Sequence, residues 1–405
     1  MNNKRFLLFS ALFAVFALAL LAHPVATAHN SNQAATMAST VAAGSSTMSA
    51  TAAPTSSIVF TPVATAALVN GNPQELHIYN YTTYIADDTI SNFEKLYNVK
   101  VSYDTYETSD VMLAKIQAGN PGYDIIVPPD YDIPLLVKAG LLQPLDVSQL
   151  SNFTQNATKR FVNPPYDPGN KYSVAYQWGT IGIGFVPAAT AKLGHAPTSW
   201  ADLFDPKLKA RAAVLNSPRE TIAIMLNFLG KDPNSTKKAD LDAVKAYLIA
   251  HKDVIARFHD SDGQISLAKG EVDAISDWSG DMFQVIADPA NAKANLQYII
   301  PKEGTVIWTD NMAIPKGAPN KDLAMKFINY IYDSRVAASI SNYTGYGTPN
   351  QAAIDQKLID AASLANPSIY PPADVEAKLF VLSDIGDAQT LYDQEWADIK
   401  AAVSQ

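Results

Sequence analysis

The chain has 405 residues, no cysteine and a formal net charge of −9. The absence of cysteine excludes disulfides, thiolate metal sites, cysteine nucleophiles and a lipid-modified cysteine. The negative charge argues against a nucleic-acid partner and suits a cationic ligand. The part of the chain after residue 73 exceeds what one hydrophobic core usually organises, which favours two lobes.

The N-terminus carries the pattern of an export signal. Lys4 and Arg5 precede an apolar stretch at residues 6–21, and small residues follow. This pattern predicts a secretory signal peptide at residues 1–28 and a periplasmic or otherwise extracytoplasmic protein. An uncleaved membrane anchor is the alternative, because the apolar stretch is near the lower length limit for a spanning helix. Residues 29–73 are rich in Ala, Ser and Thr and predict a flexible spacer.

Further along the chain, short apolar runs alternate with helical patterns. This alternation predicts α/β lobes in which a parallel or mixed sheet is covered by helices. The first unit has predicted strands at residues 76–79, 99–103 and 124–127. One predicted helix begins at Asp87, and a second spans residues 108–118. The second unit has predicted strands at residues 182–186 and 212–215 and helices at 198–203 and 218–229, and Asn320 is predicted to cap a later helix.

Ligands of open α/β sheets lie at the carboxyl ends of the strands, and Tyr81, Asp130 and Ser217 each follow a predicted strand end. Aromatic and acidic residues occur in both units. An aromatic face attracts an ammonium group by about 0.5–2 kcal/mol, and a hydrogen bond to a carboxylate adds roughly 1.5–3 kcal/mol. The set therefore predicts a site for a small organic cation: Tyr81, Tyr84, Trp178, Glu220, Trp278, Asp281, Trp308, Asp310 and Tyr346.

Short motifs follow one another along the chain at residues 78–84 (IYNYTTY), 123–128 (YDIIVP), 176–180 (YQWGT), 198–203 (TSWADL), 278–281 (WSGD), 301–310 (PKEGTVIWTD) and 345–350 (GYGTPN). They resemble the bacterial periplasmic polyamine-binding proteins, the solute receptors of spermidine and putrescine ABC importers. The resemblance covers nearly the whole chain from residue 76 onwards. Residues 85–95, 227–237 and 368–380 are closer to the putrescine type, whereas residues 345–350 are closer to the spermidine type.

The resemblance implies a type II periplasmic-binding-protein fold, which is α/β and has two lobes, each a mixed sheet flanked by helices, with a hinge between them. The N-terminal lobe would hold residues 74–179 plus 307–350, and the C-terminal lobe residues 180–306 plus 351–405. The lobes would close over a polyamine, putrescine or spermidine, and present it to an inner-membrane ABC permease. We expect a monomer without cofactor, metal ion or enzymatic activity.

The resemblance also implies which residues contact the ligand. Thr83 departs from the family pattern, which commonly has Asp or Glu there, and Ser217 replaces an aspartate of the spermidine type. Asp130 is a candidate to replace the charge lost at Thr83. Ser217 and Glu220 also fit a capping box, which competes for the Glu220 side chain. The predicted ligand-binding residues are Tyr81, Thr82, Thr83, Tyr84, Asp130, Tyr131, Trp178, Ser217, Glu220, Trp278, Asp281, Trp308, Asp310 and Tyr346.

Several alternative functions are compatible with the same set of site residues. The protein could be a receptor for another amine-bearing solute, or a sensor that presents its ligand to a membrane receptor. A hydrolase that uses a pair of carboxylates is a remote alternative. A metal site from His77, His195, His251 and His259 has no ligand-like spacing, so we expect these histidines in surface or packing roles.

Overall fold

The computed structural model describes residues 74–403. The predicted signal peptide at residues 1–28 and the predicted spacer at residues 29–73 lie outside this range. The strands in it are β1 Glu75–Tyr81, β2 Lys100–Tyr106, β3 Ile125–Ile126, β4 Ser173–Phe185, β5 Ala212–Leu215, β6 Ile255–His259, β7 Ala274–Trp278, β8 Gln297–Ile299 and β9 Ile307–Ala313.

In the described part of the chain, the α-helices lie between the strands, in several places two in succession, and six of them follow the last strand. They are α1 Thr89–Tyr97, α2 Ser109–Gln117, α3 Ile133–Lys138, α4 Ser151–Asn156, α5 Pro187–Leu193, α6 Trp200–Leu203, α7 Pro218–Phe228, α8 Lys238–Ala250, α9 Gly263–Ala268, α10 Ser279–Ala287, α11 Lys321–Ile331, α12 Ser334–Thr344, α13 Gln351–Asp355, α14 Ala361–Leu364, α15 Ala373–Glu376 and α16 Gln389–Val403.

The strands form a mixed sheet in the order β2-β1-β3-β9-β4-β7-β5-β6, and β8 also pairs with β4. Parallel pairs lie toward both ends of this order: β1 with β2 and β3, and β5 with β6 and β7. The central pairs, which involve β4 and β9, are antiparallel. The connections within each half therefore need helical crossovers, as the alternating pattern predicts.

Strand β4 joins the two halves of the sheet. Its residues from Ser173 to Thr180 pair with β9, whereas those from Ile181 to Phe185 pair with β7 and β8. The predicted strand at residues 182–186 thus covers only the second part of β4. Every residue of β4 is buried, so the strand has no polar alternation by which its beginning could be recognised.

The other predicted elements are confirmed with small shifts at their ends. The strand predicted at 76–79 is β1, and the helix predicted at 218–229 is α7. Asn320 occupies the N-cap position of α11, but its side chain makes no capping bond there. It donates instead to the carbonyl of Glu75 and to Asp124, so it ties the start of α11 to β1.

The apolar spacing of two predicted helices builds the core around β1. Phe93 and Leu96 of α1 are buried. The Phe93 ring lies 4.9 Å from Phe327 and 5.3 Å from Tyr330 of α11, centroid to centroid.

Within residues 74–403, no helix combines the length and the hydrophobicity that crossing a membrane requires.

Candidate functional site

A cavity of about 60 Å³ lies where the carboxyl ends of several strands converge. The lining residues follow β1, β2, β3, β5, β6 and β7, and β9 contributes two more. They are Tyr81, Thr82, Tyr84, Glu107, Thr108, Ser109, Asp110, Pro129, Tyr131, Ser217, Glu220, Ser261, Trp278, Asp281, Trp308, Asp310 and Tyr346.

Most of the residues predicted to bind ligand meet in this cavity, although they are far apart in sequence. The lining includes Tyr81, Thr82, Tyr84, Tyr131, Ser217, Glu220, Trp278, Asp281, Trp308, Asp310 and Tyr346. Three predicted residues do not line it: Thr83, Asp130 and Trp178.

Each of these three residues lies outside the cavity lining. Thr83 is exposed and has a φ of 52°, a left-handed conformation that a β-branched residue rarely adopts. Asp130 is buried beside the cavity, where burial raises the pKa of its carboxyl to about 8, and it lines a neighbouring cavity of about 410 Å³. Trp178 packs between Phe161 and Tyr370.

Asp310 and Glu220 are the two buried acids of the described cavity lining. Asp310 lies on β9 with 6 % of its surface exposed, and its Oδ2 accepts a hydrogen bond from the hydroxyl of Tyr84 at 2.7 Å. Burial raises the pKa of its carboxyl well above the usual range, and the nearby acids Asp130 and Glu220 raise it further. Burial therefore favours the neutral form of this carboxyl, and a bound cation would favour its ionised form.

Glu220 lies in the first turn of α7 and points into the cavity. Its Oε2 accepts from the indole N–H of Trp278 at 3.2 Å. Burial raises the pKa of the Glu220 carboxyl to about 7. The capping box is not formed, because the side chain of Ser217, at the N-cap position, makes no capping bond. The Glu220 carboxylate is thus available to a ligand.

Asp281 lies one turn into α10 and is paired with an aromatic hydroxyl. Tyr346 donates to its Oδ1 at 2.8 Å. Burial raises the pKa of the Asp281 carboxyl to about 6. The Tyr346 ring is held between Trp308 and Tyr84, each 5.2 Å away between centroids, so the acid and the aromatic wall are positioned together.

A sequence profile of the bacterial extracellular solute-binding protein family matches residues 88–367. The chain belongs to this family. The putrescine-binding periplasmic protein PotF of Escherichia coli K12 is 40% identical to this solute-binding protein over 320 residues, which are 76% of this chain and 86% of PotF. The spermidine/putrescine-binding periplasmic protein of Salmonella typhimurium is 34% identical over 80% of this chain and 91% of its own.

Solved structures agree with this membership. A putative spermidine/putrescine ABC transporter protein from Listeria monocytogenes superposes with a TM-score of 0.75 at 33% identity, over 81% of this chain and 99% of that one. PotD from Streptococcus pneumoniae gives a TM-score of 0.69 at 29% identity, over 82% and 99%. The predicted type II two-lobed α/β fold is confirmed, and the family consists of solute-binding proteins rather than enzymes.

Part of the site was not predicted. Glu107 and Thr108 lie in the turn after β2, Ser109 and Asp110 begin α2, and Ser261 follows β6. Tyr81 was selected because ligands lie at the carboxyl ends of strands. The same criterion applied to β2 would have selected residues 107–110. Ser261 could not be found that way, because β6 was not predicted as a strand.

The site of this solute-binding protein is strongly acidic. Its described lining includes the acids Glu107, Asp110, Glu220, Asp281 and Asp310 and contains neither Lys nor Arg. The neighbouring cation Arg219 points elsewhere, since its guanidinium donates to the carbonyls of Pro233 and Ser383. Buried acids without a cation are costly to ionise, so the arrangement favours a ligand that supplies positive charge.

Proposed function

We propose that this solute-binding protein captures a polyamine, putrescine or spermidine, and delivers it to an inner-membrane ABC permease. The observation that carries the proposal is a cavity that combines buried carboxyls and aromatic walls and that has neither Lys nor Arg among its described lining residues. The names of the relatives support it, because the E. coli and S. typhimurium proteins are described as binding putrescine or spermidine.

The ammonium groups of a polyamine would take the place of the protons that burial holds on these carboxyls. One ammonium group pairs with the carboxylate of Asp310, next to the hydroxyl of Tyr84. The other pairs with Glu220 and Asp281, beside Trp278. Four or five such contacts, at roughly 0.5–3 kcal/mol each, are enough for micromolar affinity, which corresponds to about 8 kcal/mol.

The number of acids suits a diamine slightly better than a triamine. Glu220, Asp281 and Asp310 are the predicted ligand acids, and putrescine carries two charges while spermidine carries three. Thr83 is exposed and Ser217 is neutral, so neither adds a carboxylate in the cavity. Since a buried ammonium without a partner costs several kcal/mol, the three acids admit either polyamine, and the neutral residues Thr83 and Ser217 favour the diamine slightly.

Capture requires that the lobes open and close. The proposed lobes are residues 74–179 plus 307–350 and residues 180–306 plus 351–405, with hinge crossings near Gly179 and Ile307. The pairing of β4 supports these crossings, because its contact with β9 ends at the pair Thr180 and Ile307. A small rotation of the strands at this point would separate the walls of the cavity.

The proposed location is the periplasm, where the relatives that are named periplasmic proteins act. The signal peptide at residues 1–28 would direct the export, and an uncleaved anchor is the alternative. We propose a monomer that has no nucleic-acid partner.

Calorimetric titration of the protein with putrescine, spermidine and arginine tests the function. We expect micromolar or tighter binding of a polyamine and no comparable binding of arginine. Binding should be lost in Asp310→Ala. The absence of binding to either polyamine would refute the proposal and would point to a receptor for another amine-bearing solute.

A further inference from the structure

Glu107 connects the two edges of the sheet across the cavity. It follows β2, the first strand in the sheet order, and its Oε2 accepts a hydrogen bond from the hydroxyl of Ser261. Ser261 follows β6, which is the last strand in that order. The same oxygen accepts from the hydroxyl of Thr82, directly after β1, at 3.4 Å. One carboxylate thus joins three strand ends.

Glu107 also faces the ligand space. It lines the cavity together with Asp281. Burial is the main cause of the raised pKa of Asp281, and the negative charge of Glu107 adds to it. These carboxylates therefore repel each other, and no Lys or Arg stands among the described lining residues to offset the repulsion. A cation placed between them would be attracted by both.

We propose that Glu107 holds one ammonium group of the bound amine and thereby selects ligands that are charged at both ends. This inference rests on the proposed function. Among the described residues, the donors to Glu107 are Ser261 and Thr82, and both reach Oε2. The other oxygen, Oε1, is then free to accept from an ammonium group that Asp281 also contacts.

Glu107 would in this way couple recognition to closure. Its contact with Ser261 requires that the ends of β2 and β6 are close, which is the arrangement of a closed cavity. A ligand with an ammonium group at this end would stabilise the same arrangement. A ligand with only one ammonium group, bound at Asp310, would not use Glu107.

The alternative is that Glu107 serves only as a closing contact. In that case its charge is unimportant, and its loss should affect all ligands equally. Glu107→Gln separates the two roles, because the amide oxygen can still accept from Ser261 and Thr82 while the charge is removed. Ser261→Ala is the matched variant, because it removes the contact between strand ends and keeps the charge.

The test is calorimetric titration of the wild-type protein and both variants with putrescine and with butylamine, which has a single ammonium group. We expect Glu107→Gln to weaken putrescine binding by at least about 10-fold and butylamine binding by less than about 3-fold, since one charged hydrogen bond is at stake. Ser261→Ala should weaken both amines by a similar, smaller factor. Glu271→Gln, which makes the same charge change at an exposed site away from the cavity, should change neither.

Equal losses for both amines in Glu107→Gln would overturn the inference and leave a closing contact only. Unchanged putrescine binding in that variant would also overturn it. Thermal unfolding of each variant establishes that it is folded. If the wild-type protein binds neither putrescine nor spermidine, the proposed function itself fails, and this result is distinct from either outcome for Glu107.

Discussion

Tyr84 donates a hydrogen bond of 2.7 Å to Asp310, and both side chains are buried at the inner wall of the cavity. The two residues are separated by 226 positions in the chain. The raised pKa of the Asp310 carboxyl follows chiefly from burial and then from its acidic neighbours. The pair is therefore prepared to accept a positive charge from a ligand.

Asp310→Asn should reduce putrescine affinity by roughly 10- to 100-fold, because a charged hydrogen bond contributes about 1.5–3 kcal/mol. Stability without ligand should be nearly unchanged, since asparagine has the shape of the neutral carboxyl that burial favours. Calorimetry measures the first effect and thermal unfolding the second. Asp374→Asn removes the same charge at an exposed position on α15, so it is the control for an effect of net charge alone. Equal affinities of Asp310→Asn and the wild-type protein would contradict this account.

Affinity for the amine should depend on pH. Burial raises the pKa of Glu220 to about 7 and that of Asp281 to about 6, and an ammonium group binds only the ionised carboxyls. Putrescine affinity should therefore be at least about 100-fold lower at pH 5 than at pH 8, because only about 1% of Glu220 is ionised at the lower pH. Titrations in buffers of different ionisation enthalpy should detect proton release near pH 6.5. A flat affinity between pH 5 and pH 8 would be inconsistent with these shifts.

Stability without ligand should change with pH in the opposite direction. A carboxyl with a raised pKa binds its proton in the folded protein at pH values where the unfolded chain has lost it. The resulting stabilisation is complete below about pH 4 and is lost as the pH rises to about 7. Each of Glu220 and Asp281 contributes about 3 kcal/mol to this change. Urea unfolding between pH 4 and pH 8 measures it, and putrescine should raise the midpoint most at the higher pH.

Gly280→Ala should weaken both the fold and the site. A Cβ at Gly280 would lie 2.4 Å from the ring of Tyr346, which is enclosed by Trp308 and Tyr84 and cannot move freely. We expect a loss of about 1–3 kcal/mol in the free energy of unfolding and weaker amine binding, because the Tyr346 bond to Asp281 is displaced. Helix propensity alone would predict stabilisation by up to about 1 kcal/mol. A more stable variant with unchanged affinity would show that the Tyr346 ring does not position Asp281.

Trp178→Phe should lower stability but leave affinity within about 3-fold. The indole N–H of Trp178 donates to the carbonyl of Thr348 at 3.2 Å, and Phe leaves that buried carbonyl without its donor, at a cost of about 1–3 kcal/mol. Denaturant unfolding and calorimetry provide the two values. A strong loss of affinity with unchanged stability would instead support the ligand contact that the sequence predicts for Trp178.

Some residues of this site can be predicted from the sequence, and others cannot. Asp281 lies three residues after Trp278 and Asp310 two residues after Trp308, so local motifs are sufficient to select them. The contact of Glu107 with Ser261 spans 154 residues and depends on how the two edges of the sheet meet. Strand β4 is buried throughout, so its first half shows no recognisable periodicity. Motif-based reasoning therefore finds local acids and misses contacts that the tertiary fold creates.

The central claim is that a polyamine lies in this cavity with its ammonium groups on buried carboxylates. A crystal structure of the protein with putrescine tests it most directly. We expect one nitrogen about 2.7–2.9 Å from an oxygen of Asp310 and the other at similar distances from Glu220 or Asp281, with the methylene chain against Trp278 or Trp308. Putrescine bound elsewhere, or a cavity filled only by water at saturating putrescine, would contradict the claim.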